Sequence, residues 1–232
     1  MDPLLITVFA VAVAIGAAAI TYAIRSSAKT EAEQKALADA QGWTRTHTRD
    51  NSGSTTTFES AEEGWRLDIF TGRSNTGSSN RTSNSVRWTM FTHPGVGIDR
   101  GMAVLGPDIP EKMRAMADKM MGLMGGDIGR FLLDKITGGL GTEAQGLRTV
   151  ESDAPGHMMV SPGAEGSLDA IRDLPELLAA REGLRDNDQP IVMRGPFGLR
   201  LRVSSKLKSA KDIEDFVALG RLLSVGVSQP RP

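Results

Sequence analysis

The chain has 232 residues, with 27 Lys and Arg against 28 Asp and Glu, three histidines and no cysteine. The near balance of charge argues against nucleic acid as a partner, since that role calls for a strongly basic face. The lack of cysteine excludes disulfides, thiolate zinc sites and lipoprotein processing.

Leu4 to Ile24 forms an apolar run with no charge, in which only Thr7, Thr21 and Tyr22 carry polar side-chain atoms. At 1.5 Å per residue it spans roughly 30 Å, the hydrocarbon thickness of a bilayer. The expectation is a transmembrane helix at 4–24, with residues 1–3 outside. A cleaved signal peptide would have basic residues before an apolar core of about 7–15 residues. Here the leading segment is Met1-Asp2-Pro3, and the core is longer. Arg25, Lys29 and Lys35 follow the run and no base precedes it. Basic flanks stay inside, so the domain is expected in the cytoplasm and the N-terminus outside. Ala10, Ala14 and Ala18 share one helical face and Ala12 with Gly16 another, a spacing that lets spans associate.

Residues 25–42 read as a helical stalk without a bulky apolar stripe. Glu31 and Lys35 stand four apart in the favourable order, and Gly42 suits a C-terminal cap. From Trp43 the period changes to two, with strands expected around Trp43–His47, Thr55–Phe58, Trp65–Ile69 and Val86–Phe91. Residues 72–85, nearly all Ser, Asn, Thr, Gly and Arg, read as a mobile hairpin loop. A short strand at Met102–Leu105 and helices at 110–123 and 127–136 follow, while Thr142–Gly156 is ambiguous. A strand at Met158–Val160 comes next, then a helix at 168–181 that Pro175 interrupts. Ile191–Arg194 and Leu199–Val203 form a hairpin. A last helix starts at the capping box Ser209–Asp212 and buries Ile213, Phe216, Val217, Leu219 and Leu223. The fold class is α+β: a sheet-rich lobe at 43–141, a second strand-and-helix lobe at 142–225, and a disordered tail at 226–232.

The step Ala40-Gln41-Gly42-Trp43 after a span and a charged helix, followed by strands and the strand–helix–hairpin–helix block at Met158–Leu223, resembles a loose group of bacterial single-pass membrane proteins. The resemblance is one of layout. It implies an architecture, placed at the bacterial inner membrane, and no activity. The polar loop at 72–85 and the Met-rich helix depart from that group.

Chemical motifs are sparse. His47, His93 and His157 lack companions at metal-ligand spacing. Gly95-Val96-Gly97-Ile98-Asp99-Arg100-Gly101 is glycine-rich but fits no phosphate-binding pattern, and reads as a turn. Met113, Met116, Met120 and Met124 form a helical stripe beside Met121 that suits a core or a partner surface better than a copper site. Arg73, Arg81 and Arg87 lie in a stretch without acids; three separated charges fall short of a cluster for anionic headgroups, so the stretch reads as a solvated loop. No catalytic, cofactor-binding or metal residue is nominated and no cofactor is expected. The expected function is a membrane-anchored, non-enzymatic interaction or accessory protein. Its partner would be a membrane protein or a second copy, met through the span and the Met-rich helix, with the lipid bilayer as its surroundings. The alternatives are a membrane-surface hydrolase and a lipid or small-ligand binder.

Overall fold

A computed structural model of the chain describes residues 21–22, 25–73, 85–107, 147–150, 157–182 and 189–228. Threonines and aromatics alternating with apolar residues build a meander of β1 (Thr44–Arg49), β2 (Gly53–Ser60), β3 (Trp65–Arg73) and β4 (Ser85–His93). The later strands are β5 (Ala103–Gly106), β6 (Arg148–Val150), β7 (His157–Val160), β8 (Ile191–Gly195) and β9 (Gly198–Val203). All nine join one antiparallel sheet in the order β1-β2-β3-β4-β9-β8-β5-β7-β6. The boundary expected at 141/142 falls between β5 and β6, and the sheet is continuous across it. β4 pairs with β9, and β5 lies between β7 and β8.

Side-chain alternation gives the sheet two unlike faces. Phe58, Trp65, Leu67, Ile69, Phe91, Leu199, Leu201, Val192 and Leu105 point to one side and form the main core. Helices cover that side: α1 (25–41), α2 (Asp169–Arg172), α3 (Pro175–Ala179) and α4 (Ala210–Ser228). On the other face Met102, Val104, Leu147, Met159 and Met193 make a smaller buried cluster. Beside it, across β2 and β3, that face is polar. Asp68 there accepts from Thr57 Oγ1 at 2.6 Å and from Arg66 Nε at 2.8 Å.

Helix α1 is present where a stalk is expected, but it does not stand free in water. Gln34, Leu37 and Ala38, spaced at i, i+3 and i+4, are buried. The stripe is narrow, and small Ala38 lets the helix lie close to the sheet. Gly42, at φ +68°, ends α1, and the Trp43 amide returns to the Ala38 carbonyl at 2.9 Å in a Schellman closure. Gln41 Nε2 donates to Glu214 Oε1 of α4 at 2.9 Å.

The break in the 168–181 helix is also present. Leu174 is extended (ψ 125°) because the residue before a proline avoids the helical region. Helix α4 is capped by Ser209, whose Oγ accepts the Asp212 amide at 3.1 Å. It continues past the expected end at 225 to Ser228, with Val227 buried. Gly72, Arg73 and Ser85, expected in the loop, belong to strands. The rest of that loop, the helices at 110–123 and 127–136, and residues 229–232 lie outside the described residues. The expected span at 4–24 lies outside them too, save for Thr21 and Tyr22, which are helical. Among the described residues no helix is long and apolar enough to cross a membrane.

Candidate functional site

The meander fixes which end of the sheet each group reaches. β2 turns into β3 at residues 61–64, the end where β4 finishes at His93 and α4 finishes at Ser228. A cleft of about 470 Å³ opens there, lined by Glu63, Trp65, His93, Val96, Arg221, Ser224, Val225 and Ser228.

Its floor is aromatic. Trp65, 2 % exposed, packs edge-on to Trp43 at 4.9 Å between centroids and tilts against Phe91 at 5.7 Å. Such pairs add about 0.5–1.5 kcal/mol each beyond area burial. Helix α4 reaches this floor because position 220 is glycine: a Cβ there would lie 2.5 Å from the Phe91 ring. One wall is the 3-10 turn Pro94–Val96. Arg194 on β8 holds it by donating Nε to the Val96 carbonyl at 2.9 Å and Nη1 to the Ser167 carbonyl at 2.8 Å. Burial draws the Arg194 pKa below the ordinary arginine value.

The polar groups of the cleft are largely spoken for. The Trp65 indole N–H donates to Glu63 Oε2 at 2.5 Å, and Arg221 Nη2 stands 2.5 Å from Glu63 Oε1. Ser60 shapes this turn, its Oγ accepting the Glu63 amide and its carbonyl the Gly64 amide. Ser224 Oγ donates to the Gly220 carbonyl and Ser228 Oγ to the Ser224 carbonyl. His93 differs. Its Nδ1 is buried and has no hydrogen-bond partner among the described residues. Val225, which lines the cleft, is 56 % exposed, and Leu222 on the same helix is 38 % exposed.

The chain matches no family model, no curated protein and no solved structure. The cleft is therefore read from its own chemistry. A carboxylate that accepts from an indole and a guanidinium is a poor base, and hydroxyls that donate to helix carbonyls have no proton acceptor beside them. The arrangement suits recognition, with an apolar floor and a polar clasp.

Of the residues marked from sequence, His93 reaches the cleft. His47 lies on β1, its Nδ1 3.0 Å from Thr56 Oγ1, and His157 starts β7 in register with Gly106. The glycine-rich stretch from Gly95 supplies the Val96 wall. Met113 to Met124 and Arg81 lie outside the described residues. Glu63, Arg221 and Ser224 were not singled out by sequence reasoning. They belong to a turn and a helix far apart in the chain, and no local motif links them.

Proposed function

We propose that this chain is a membrane-anchored, non-enzymatic interaction or accessory protein. Residues 4–24 form its single span, the N-terminus is outside, and the α+β domain lies on the cytoplasmic side of the bacterial inner membrane. The observation that carries this reading is the packing of α1. The helix that follows the apolar run buries Gln34, Leu37 and Ala38 against the domain, and a span continuous with that helix would hold the domain in a set orientation. A rigid mount suits a protein that presents one surface to a membrane partner. Helix α4, with Leu222 and Val225 exposed and Val225 lining the cleft, offers such a surface. The span and the Met-rich segment at 113–124 are further candidates for contact with a membrane protein or a second copy.

A tagged pull-down from mildly solubilised native membranes, with mass spectrometry and native sizing, tests the proposal. The expected result is a stoichiometric partner that is lost when Leu222 and Val225 are both changed to Asp. A monomer without partner after crosslinking in cells would overturn it.

The cleft supports a second reading, a small-ligand or lipid binder, because its volume falls in the range of about 300–1,000 Å³ usual for ligand pockets. Ligand screening by thermal shift separates the two readings. A hit abolished by Trp65→Phe or His93→Gln, in a chain without partners, favours the ligand.

A further inference from the structure

The opposite end of the sheet holds a group of bases that the cleft does not use. There the β1–β2 turn, the start of β4, the segment after β9 and the beginning of α4 come together. Thr89 straps that segment across β4: its Oγ1 donates to the Ser205 carbonyl at 2.9 Å and accepts the Leu207 amide at 3.3 Å. Lys206 and Lys208 are thereby set beside Arg87, two residues before Thr89 on the same face of β4. Gln34 Nε2 donates to the Lys208 carbonyl at 3.4 Å, which ties the cluster to α1.

Arg25, Arg49, Arg87, Lys206 and Lys208 make no ion pair among the described residues. The acids nearby give these bases no partner. The Asp50 carboxylate accepts from the Ser52 and Gly53 amides, and Glu33 pairs with Lys29; Asp212, exposed at the start of α4, makes no ion pair among the described residues, since Lys211 pairs with Asp215. Burial, then the charges of Lys208 and Arg87, push the Lys206 ammonium below the ordinary lysine range. Like charges thus gather here without an internal counter-charge.

We propose that this end of the domain is a docking face for an anionic lipid surface, built by Arg87, Lys206 and Lys208, with Arg25 farther along α1 on the side of the span. The inference rests on the anchor reading above, and the reach of α1 supports it. Gln34 is level with Lys208, and the helix from Gln34 back to Arg25 covers about 14 Å at 1.5 Å per residue. A headgroup layer fills roughly 5–7 Å of that distance. The remaining gap is close to the Debye length of about 8 Å at physiological salt. The bases therefore lie within electrostatic range of the headgroups with α1 upright, and nearer if it tilts. Acidic lipid supplies the counter-charge that the fold omits, and each base contributes about a fivefold factor in membrane contact.

The test uses the full chain in vesicles of phosphatidylcholine, with or without phosphatidylglycerol. The chain has no cysteine, so Ser204→Cys and Glu62→Cys each give one labelled site, at the basic end and the cleft end respectively. Quenching by a headgroup quencher should rise with phosphatidylglycerol at position 204 and stay unchanged at 62. Arg87→Gln, Lys206→Gln and Lys208→Gln together should remove that rise, with the melting temperature retained. Quenching at 204 that ignores phosphatidylglycerol, or a rise that survives the triple change, would overturn the proposal. So would loss of the rise in inorganic phosphate but not in sodium chloride of equal ionic strength, which would mark a free-anion site. Flotation separates the anchor reading. A chain that floats only with acidic vesicles lacks the span yet retains the face; one that floats with both but shows no lipid dependence at 204 keeps the span and loses the face.

Discussion

At the cleft end charge is consumed inside the protein: the Glu63 carboxylate takes the Trp65 indole N–H on one oxygen and Arg221 on the other. At the opposite end Arg87, Lys206 and Lys208 crowd one another without an acid. The same sheet and the same two helices, α1 and α4, run through both ends, so backbone architecture does not cause the difference. Internal pairing leaves the cleft without an unpaired charge, with Val225 exposed at its edge. At the other end burial and the two neighbouring cations push the Lys206 ammonium below its ordinary range.

The comparison can be broken by substitution. Trp65→Ala removes the cleft floor and should cost about 3–5 kcal/mol, read by chemical denaturation. Arg87→Ala at the other end should stay within about 0.5 kcal/mol, as for an exposed residue outside the core. Equal costs would mean that the basic end is part of the folding core. Gly220→Ala places a methyl against the Phe91 ring, and overpacking of this kind costs about 1–3 kcal/mol. Against this stands a helix-propensity gain of up to about 1 kcal/mol. Net destabilisation in urea is expected, and a stabilised variant would show that α4 sits farther from the sheet.

Smaller effects sharpen the contrast. A double-mutant cycle on Glu63 and Arg221, whose side chains are partly exposed, should give a coupling of about 0.2–1 kcal/mol that falls with salt. Lys206→Met should stabilise by a few tenths of a kcal/mol, within the range of surface changes. Its pH dependence has a definite sign. The folded pKa is depressed below the ordinary 10.5, so at neutral pH the lysine is charged in both states and the folded state carries the penalty. As pH rises through the folded pKa the penalty begins to be relieved, and the gap between variant and parent should close only above pH 10.5. A constant gap would assign the effect to packing.

The antiparallel sheet was legible because threonine and aromatic residues alternate cleanly from Trp43 to Phe91, and the α4 stripe because Ile213, Phe216, Val217 and Leu223 keep helical spacing. The docking of α1 was hidden. Gln34, Leu37 and Ala38 bury less apolar surface than a conventional stripe, and what they pack against lies late in the chain. The strand order was equally invisible: β5 enters between β7 and β8 through pairings that only the folded chain reveals. The cleft escaped for a related reason. Trp65 read only as a strand residue, and nothing local links Glu63, in the β2–β3 turn, to Arg221, far along the chain on α4.

The most direct test of the central claim, a span at 4–24 continuous with a domain-bound helix, is alkaline extraction of membranes from cells producing the full chain, with intact-mass analysis. The account predicts that the protein stays in the membrane pellet at the mass of the uncleaved chain. Release into the supernatant, or a mass showing removal of the first two dozen residues, would contradict it.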